Sequence, residues 1–201
     1  MKPLTQGVTE AILKAAQEEF LEYGFLEASL RRISAACNVS THTIYTRFGD
    51  KAGLFEALVG EVAEAFFNSI KKMTENAEEN GENSVGQQMD FANDGTIWVL
   101  EYIYQYFDVF KLILCKSSGT KYENYLVRLS KMEAASYKKI IPLLLGENSG
   151  IDDFFIDQVC ATGYEYLASA VKNDLTFEEA KKFMEKIMKF QQAGWEEMLE
   201  K

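Results

Sequence analysis

Apolar side chains recur along this chain at intervals of three and four residues, the spacing that lays one face on an α-helix. Ile12, Leu13, Ala16 and Phe20 make the first stripe. With Thr9 as cap and Gly24 as stop, they predict a helix from Thr9 to Tyr23. Leu30, Ile33 and Cys37 mark a short second helix that Ser29 can cap, and Ile44 and Phe48, one turn apart, mark a third entered through Ser40. A fourth, which Asp50 can cap, carries Leu54, Phe55, Leu58, Val62 and Phe66, its pattern persisting to about Met73. The polar stretch 76–86, with two glycines, reads as a loop or a frayed helix end. Beyond it, helices are expected from Gln87 to Phe110, followed by a short apolar piece to Cys115, then from Tyr122 to Leu145, Asp152 to Lys172 and Phe177 to Glu200. Thr176 and Glu179 form a capping box at the last entry. Pro3 and Pro142 are the only prolines, and alternating β-branched runs are few. The pattern is all-α, without internal repeats.

Charge changes the picture at one place. The chain holds 31 Asp and Glu in 201 residues, yet none of the 22 residues between Glu27 and Asp50 is acidic. That window contains Arg31, Arg32, Arg47 and the only histidine, His42, with Lys51 just beyond. Residues 1–60 carry 6 Lys/Arg against 7 Asp/Glu, and residues 61–201 carry 15 against 24. Net acidity argues against nucleic-acid binding, but the field at a contact face matters more than the total. The cleared window is two short helices around a tight turn. Asn38 stands where the first must end, and Asn is among the few non-glycine residues that visit the left-handed conformation. In the next helix, Ile44 and Phe48 face inward. His42, Thr43 and Thr46 point the other way, Tyr45 and Arg47 lie on the flanks, and Thr41 projects from the N-terminal end. Small polar groups facing base edges, with longer donors at the sides for phosphates, are what a recognition helix needs.

The run Ile33-Ser34-Ala35-Ala36-Cys37-Asn38-Val39-Ser40, followed by Thr43-Ile44-Tyr45-Thr46-Arg47-Phe48 and Lys51, resembles the DNA-binding domain of tetracycline-repressor (TetR) type regulators. The resemblance spans roughly residues 9–60. Ser34 and Cys37 stand where alanine is usual, Asn38 where glycine is usual, Arg47 where histidine is frequent and Ala52 where an acidic residue is common. It implies a three-helix DNA-binding domain over residues 1–52 and a larger helical domain for effector binding and dimerisation over 53–201. It also implies DNA contacts at the positions of Arg31, Thr41, His42, Thr43 and Tyr45. Thr46, Arg47 and Lys51 join the expected contact set from the reading of the helices themselves, Lys51 beside a phosphate at the start of the fourth helix. Arg32 is expected to be solvated.

Two features of the larger domain bear on assembly and ligand. Phe154, Phe155, Val159, Gly163, Tyr164, Leu167 and Val171 on one late helix, and Phe177, Phe183, Met184, Ile187, Met188, Phe190, Trp195, Met198 and Leu199 on the last, give both more apolar surface than one core contact requires. Such helices are buried on two sides. A homodimer through this pair is expected, with Phe155, Val159, Gly163, Phe183, Ile187 and Phe190 at the interface; the alternative is a thick monomer core. Trp98, Tyr102, Tyr106, Phe107 and Phe110, together with Tyr164, are the candidate lining of a ligand pocket, although aromatic stripes more often form ordinary core. Glu101, Asp108 and Glu165 would suit a cationic lipophilic ligand if they faced inward.

Several classes are disfavoured. One histidine, on the recognition helix, leaves no Ser-His-Asp or Cys-His arrangement, and no Cys/His spacing suits zinc. No phosphate-binding glycine loop is present, so no catalysis, cofactor or metal is expected. Cys37, Cys115 and Cys160, odd in number and widely spaced, fit a reducing cytoplasm rather than a disulfide framework. The N-terminus lacks the apolar core of a signal peptide, and no segment is long and apolar enough for a membrane span. The sequence therefore reads as a cytoplasmic, homodimeric transcriptional regulator that binds an operator in double-stranded DNA and answers to a small-molecule effector. Two alternatives remain: a constitutive DNA binder without an effector, and a helical protein that sequesters small molecules.

Overall fold

The computed structural model describes residues 6–79, 85–146 and 150–199. Its described residues form nine helices: α1 Gln6–Glu27, α2 Leu30–Ala36, α3 Thr41–Phe48, α4 Lys51–Glu79, α5 Val85–Gln105, α6 Phe107–Cys115, α7 Tyr125–Leu145, α8 Asp153–Lys172 and α9 Phe177–Leu199. None is long and apolar enough to cross a membrane. The chain divides into two compact units, one of Met1–Ala65 with Phe107–Tyr125 and one of Phe66–Tyr106 with Leu126–Lys201.

In the first unit, Ile12, Ala16, Phe20, Ile33, Ile44, Leu54, Phe55 and Val59 are almost wholly removed from solvent. Each large apolar side chain buried in this way contributes about 2 kcal/mol. Phe20, Phe25 and Phe55 meet with ring centroids 5.1–6.0 Å apart, two of the three pairs edge-on. Helix α1 is interrupted at Gly24, whose φ of 73° opens the left-handed region, so the expected stop is real although a further turn follows. Thr9 lies inside α1 rather than at its cap. Helix α6 is held here by Gln17 Nε2 donating to Asp108 Oδ2 (2.8 Å) and by the Phe25 amide donating to the Lys116 carbonyl (2.8 Å). The turn after it is fastened by Tyr122, whose hydroxyl donates to Glu56 Oε2 at 2.8 Å.

The second unit is built on Phe66, Ile70, Leu100, Ile103, Leu129, Ile140, Ile156, Ala168, Val171 and Met184. Helix α9 enters through the expected capping box: the Thr176 amide donates to Glu179 Oε2 (2.8 Å), and the Glu179 amide to Thr176 Oγ1 (3.4 Å). The hydroxyl and amide of Thr176 hold the Glu179 carboxyl below its ordinary pKa. Asp152 caps α8 by accepting from the Phe155 amide at 2.8 Å. The expected helix from Gln87 to Phe110 is two: α5 ends at Gln105 and α6 starts at Phe107. The stretch 76–86, expected as a loop or a frayed helix end, is helical to Glu79 in α4 and again from Val85 in α5; residues 80–84 lie outside the described ones.

Candidate functional site

The turn between α2 and α3 is made by Asn38, whose φ of 52° is left-handed. The amides of Asn38 and Val39 donate back to the carbonyls of Ala35 (3.3 Å) and Ser34 (3.0 Å), closing α2. Ser40 then caps α3, its Oγ accepting from the Thr43 amide (3.1 Å) and lying 2.9 Å from Thr43 Oγ1. Ser29 has the extended backbone of an N-cap but makes no side-chain cap. Its amide donates instead to Glu19 Oε1 at 2.8 Å. Glu19 is buried and also accepts from Arg32 Nε at 2.8 and 3.1 Å, while the Arg32 guanidinium lies 4.2 Å from the Tyr23 ring centre. The solvated Arg32 of the sequence reading is therefore a clamp between α1 and α2.

Arg31, His42, Tyr45 and Thr46 are exposed, and Thr41 and Thr43 half-buried. Tyr45 has 51% of its surface open although it is a large apolar ring. Thr46 Oγ1 donates to the His42 carbonyl (2.9 Å), a local bond that leaves one side of the oxygen free. The two long cations at the end of α3 and the start of α4 turn inward. Arg47 Nη1 donates to Thr9 Oγ1 at 2.6 Å, tying α3 to α1, and its buried Nε has no hydrogen-bond partner. Lys51 Nζ donates to the carbonyls of Leu26 (3.0 Å) and Ala28 (3.1 Å), 4.8 Å from the Phe25 ring centre. It satisfies the carbonyl end of α1, a group every helix leaves open. Asp50 caps α4 as expected, its Oδ1 accepting from the Gly53 amide at 2.7 Å.

The second unit holds a partly open cavity of about 260 Å³. Its walls include Ile70, Met73 and Thr74 from α4, Met89 and Phe91 from α5, Tyr137 and Ile140 from α7, Tyr164 from α8 and Met184 and Trp195 from α9. Of the aromatics expected to line a pocket, Tyr164 is the one that lines this cavity. Trp98, Tyr102 and Tyr106 stack on one another along α5, with Trp98 and Tyr102 also on Phe66, at centroid distances of 5.0–6.0 Å. Phe107 and Phe110 belong to α6 in the first unit. Of the expected interface residues, Val159, Gly163 and Ile187 face the cavity instead. Phe155 packs edge-on against Trp195 and Phe183 against Tyr166. Phe190 points outward with 72% of its surface open.

One cavity residue escaped the sequence reading. Glu133 is half-buried in the cavity wall, and its removal from bulk water pushes the carboxyl up to about 7. Burial likewise raises the Tyr137 hydroxyl and the Cys160 thiol, each further raised by the charge of Glu133. The signal was present: Glu133, Ser136, Tyr137, Ile140, Ile141 and Leu144 share one helical face, and all six line the cavity. Glu101, Asp108 and Glu165 are exposed, the last two bonded to Gln17 and Lys172.

Residues 12–58, the stretch that holds the helix-turn-helix, match the sequence profile of bacterial regulatory proteins of the tetR family. None of the curated proteins compared with the chain matches it. Solved structures match over nearly the whole length. A protein described as a fatty acid metabolism regulator of Clostridium perfringens has 17% identity and a TM-score of 0.58, over 89% of this chain and 94% of that one. NalD, the secondary repressor of the MexAB-OprM multidrug efflux pump of Pseudomonas aeruginosa, has 16% identity and a TM-score of 0.58, over 92% and 95%. The regulator FadR of Bacillus subtilis in complex with stearoyl-CoA has 18% identity and a TM-score of 0.53, over 88% and 95%. At these identities the structures speak for the fold. Through the profile match, residues 12–58, folded as a helix-turn-helix, carry the DNA-binding segment characteristic of the tetR family of bacterial regulatory proteins.

Proposed function

We propose that this protein is a homodimeric repressor that holds a palindromic operator and lets it go when a small molecule occupies the cavity of the second unit. The observation that carries the reading is the open face of α3 and the start of α2. Arg31, His42, Tyr45 and Thr46 lie exposed on a segment without one carboxylate, in a chain of net charge −10. In this reading residues 1–52 bind DNA, and residues 53–201 bind effector and dimerise. Thr41, His42 and Thr43 face bases, Arg31 reaches a base edge or a phosphate, and Tyr45 and Thr46 meet the backbone. Arg47 and Lys51 help chiefly by fixing α3 and α4 against α1, each keeping a donor for a phosphate. Two recognition helices about 34 Å apart would enter successive major grooves.

Helix α4 runs from Lys51, next to the recognition helix in sequence, to Glu79, and Ile70, Met73 and Thr74 on it line the cavity. A ligand that displaces this helix would alter the half-site separation. Switching from 1:99 to 99:1 requires roughly a 10⁴-fold preference for the released state. Among the similar structures, one is complexed with stearoyl-CoA and another represses a multidrug efflux pump, so kinship of fold leaves the effector to the chemistry of the cavity.

Selection of bound duplexes from a random DNA pool at near-physiological salt tests the reading. A palindromic consensus is expected. Folded protein that enriches no sequence would overturn it and favour sequestration of small molecules.

A further inference from the structure

We propose that the cavity takes an amphiphilic cation, an aliphatic or aromatic amine or onium ion, whose positive centre sits against the carboxylate of Glu133. The inference rests on the reading that this cavity is the effector site, and names the class of effector.

Three observations carry it. First, Glu133 is the one charged side chain among the described lining residues; no lysine, arginine or histidine faces the space. A carboxylate-bearing ligand would find no counter-charge there and would meet a like one. Second, none of the hydrogen bonds or ion pairs in the structure involves the Glu133 carboxylate among the described residues. Other acidic groups of this unit are engaged, as in Lys139–Glu78 (2.8 Å), Lys138–Asp157 (2.8 Å) and Lys172–Glu165 (2.9 Å). A carboxylate held half out of water in a largely apolar wall without a partner carries an unmet charge, and a bound cation would supply that partner. Third, the remaining walls suit the rest of such a molecule. Tyr137, Tyr164, Tyr166 and Trp195 offer ring faces to a cation, and Met89, Ile140, Met184 and Ile187 offer apolar surface to a tail.

The empty site should hold Glu133 largely protonated at mildly acid pH, because burial raises its pKa to about 7. The titratable groups nearest to it are Tyr137 and Cys160, both kept neutral by burial. Tyr164 and Tyr166 also line the space; α4, α5 and α9 add no ionisable lining residue among the described ones. A cation binds the ionised carboxylate, so its affinity should rise from pH 6 to pH 8.

The test uses three ligands with the same tail and different charge: decyltrimethylammonium, decanol and decanoate. Binding to the DNA-free full chain is followed by calorimetry, at pH 6 and pH 8. The expected order at pH 8 is cation, then alcohol, then carboxylate. Glu133→Gln, of nearly the same shape, should weaken the cation about tenfold or more, leave decanol within about twofold and abolish the pH dependence. Decanoate binding tightest, a cation affinity unchanged in Glu133→Gln, or no cation binding at all would each overturn the proposal. Because the charge series on the unaltered protein already decides the order, the conclusion does not hang on the variant folding. These readouts need no operator, so they can fail while the DNA selection succeeds, and the reverse.

Discussion

At the scale of the residue, the chain shows how little a side chain's chemistry says about where it points. Arg47 and Lys51 look like phosphate donors in the sequence, and both do carry the right group. In the structure one bonds Thr9 and the other the carbonyl end of α1. Long cationic side chains choose partners several ångströms from their own backbone, and those partners are set by packing that no local pattern reveals. Glu133 is the opposite case: its place on an apolar helical face was legible, and its consequence follows by linkage. The folded-state pKa of about 7 stands above the ordinary 4.5, so the folded protein holds this proton more tightly than the unfolded chain. Stability from this group is therefore full below about pH 4.5, falls as pH rises through 7 and stays reduced above it. Glu133→Gln should be the more stable protein at pH 8, by at most about 3 kcal/mol, with a flatter profile between pH 5 and 8. Urea unfolding across that range checks it; parallel profiles would place Glu133 in water. Tyr45, in contrast, is open to solvent, and Tyr45→Ala should leave folding unchanged while lowering affinity for every operator sequence alike, by about tenfold. Equal affinity at fixed salt would remove it from the contact surface.

At the scale of the element, periodicity is the most legible signal, while caps divide: Thr9 lies inside α1 and Ser29 makes no side-chain cap, but others hold. Asp50 and the Thr176–Glu179 box cap as their sequence positions suggest, because a cap needs only groups two or three residues away. Ser40 belongs with them, and Ser40→Ala should cost about 1 kcal/mol. The turn before it is equally local. Asn38 holds φ at 52°, a region that β-branched residues avoid, so Asn38→Val should destabilise the protein by about 1–2 kcal/mol and Asn38→Gly should not. Thermal unfolding of the pair separates backbone strain from loss of the side chain; equal losses would point to the side chain. Elements whose limits depend on distant contacts were harder. Nothing near Tyr106 signals a stop, since neither glycine nor proline stands there, yet α5 ends at Gln105. Helix α6 then buries Phe110, Leu112 and Ile113 and groups with the N-terminal helices, a placement its amphipathic pattern leaves open. The aromatic row of α5 was misjudged for the same reason. Periodicity put Trp98, Tyr102 and Tyr106 on one face, but whether that face meets a cavity or Phe66 is decided by another helix.

At the scale of the whole molecule, the question is what covers the apolar surface of α8 and α9. The breadth of those two helices suggested a dimer, and part of that breadth now has an internal explanation, because Val159, Gly163 and Ile187 face the cavity and Phe183 meets Tyr166. What remains outside is narrower: Phe154 and Phe190, each with 72% of its surface open, and, less exposed, Phe155 and Met198. Two exposed phenylalanines on neighbouring helices are costly in water and suit a self-complementary contact in which each helix pair meets its copy. An operator read by two recognition helices needs such a contact, because one α3 spans only one major groove. Charge at this surface should therefore break assembly without touching the cavity. Phe190→Glu, outside both the cavity and the core, should keep its helical signal and thermal transition, run as a monomer in light scattering, and lose most of its affinity for a full palindrome while its affinity for a single half-site stays unchanged. Ile187→Glu, by contrast, places a second carboxylate in the cavity wall and should lower stability itself. If Phe190→Glu remains a dimer that binds the palindrome undiminished, the copies meet elsewhere, and the two phenylalanines await another partner.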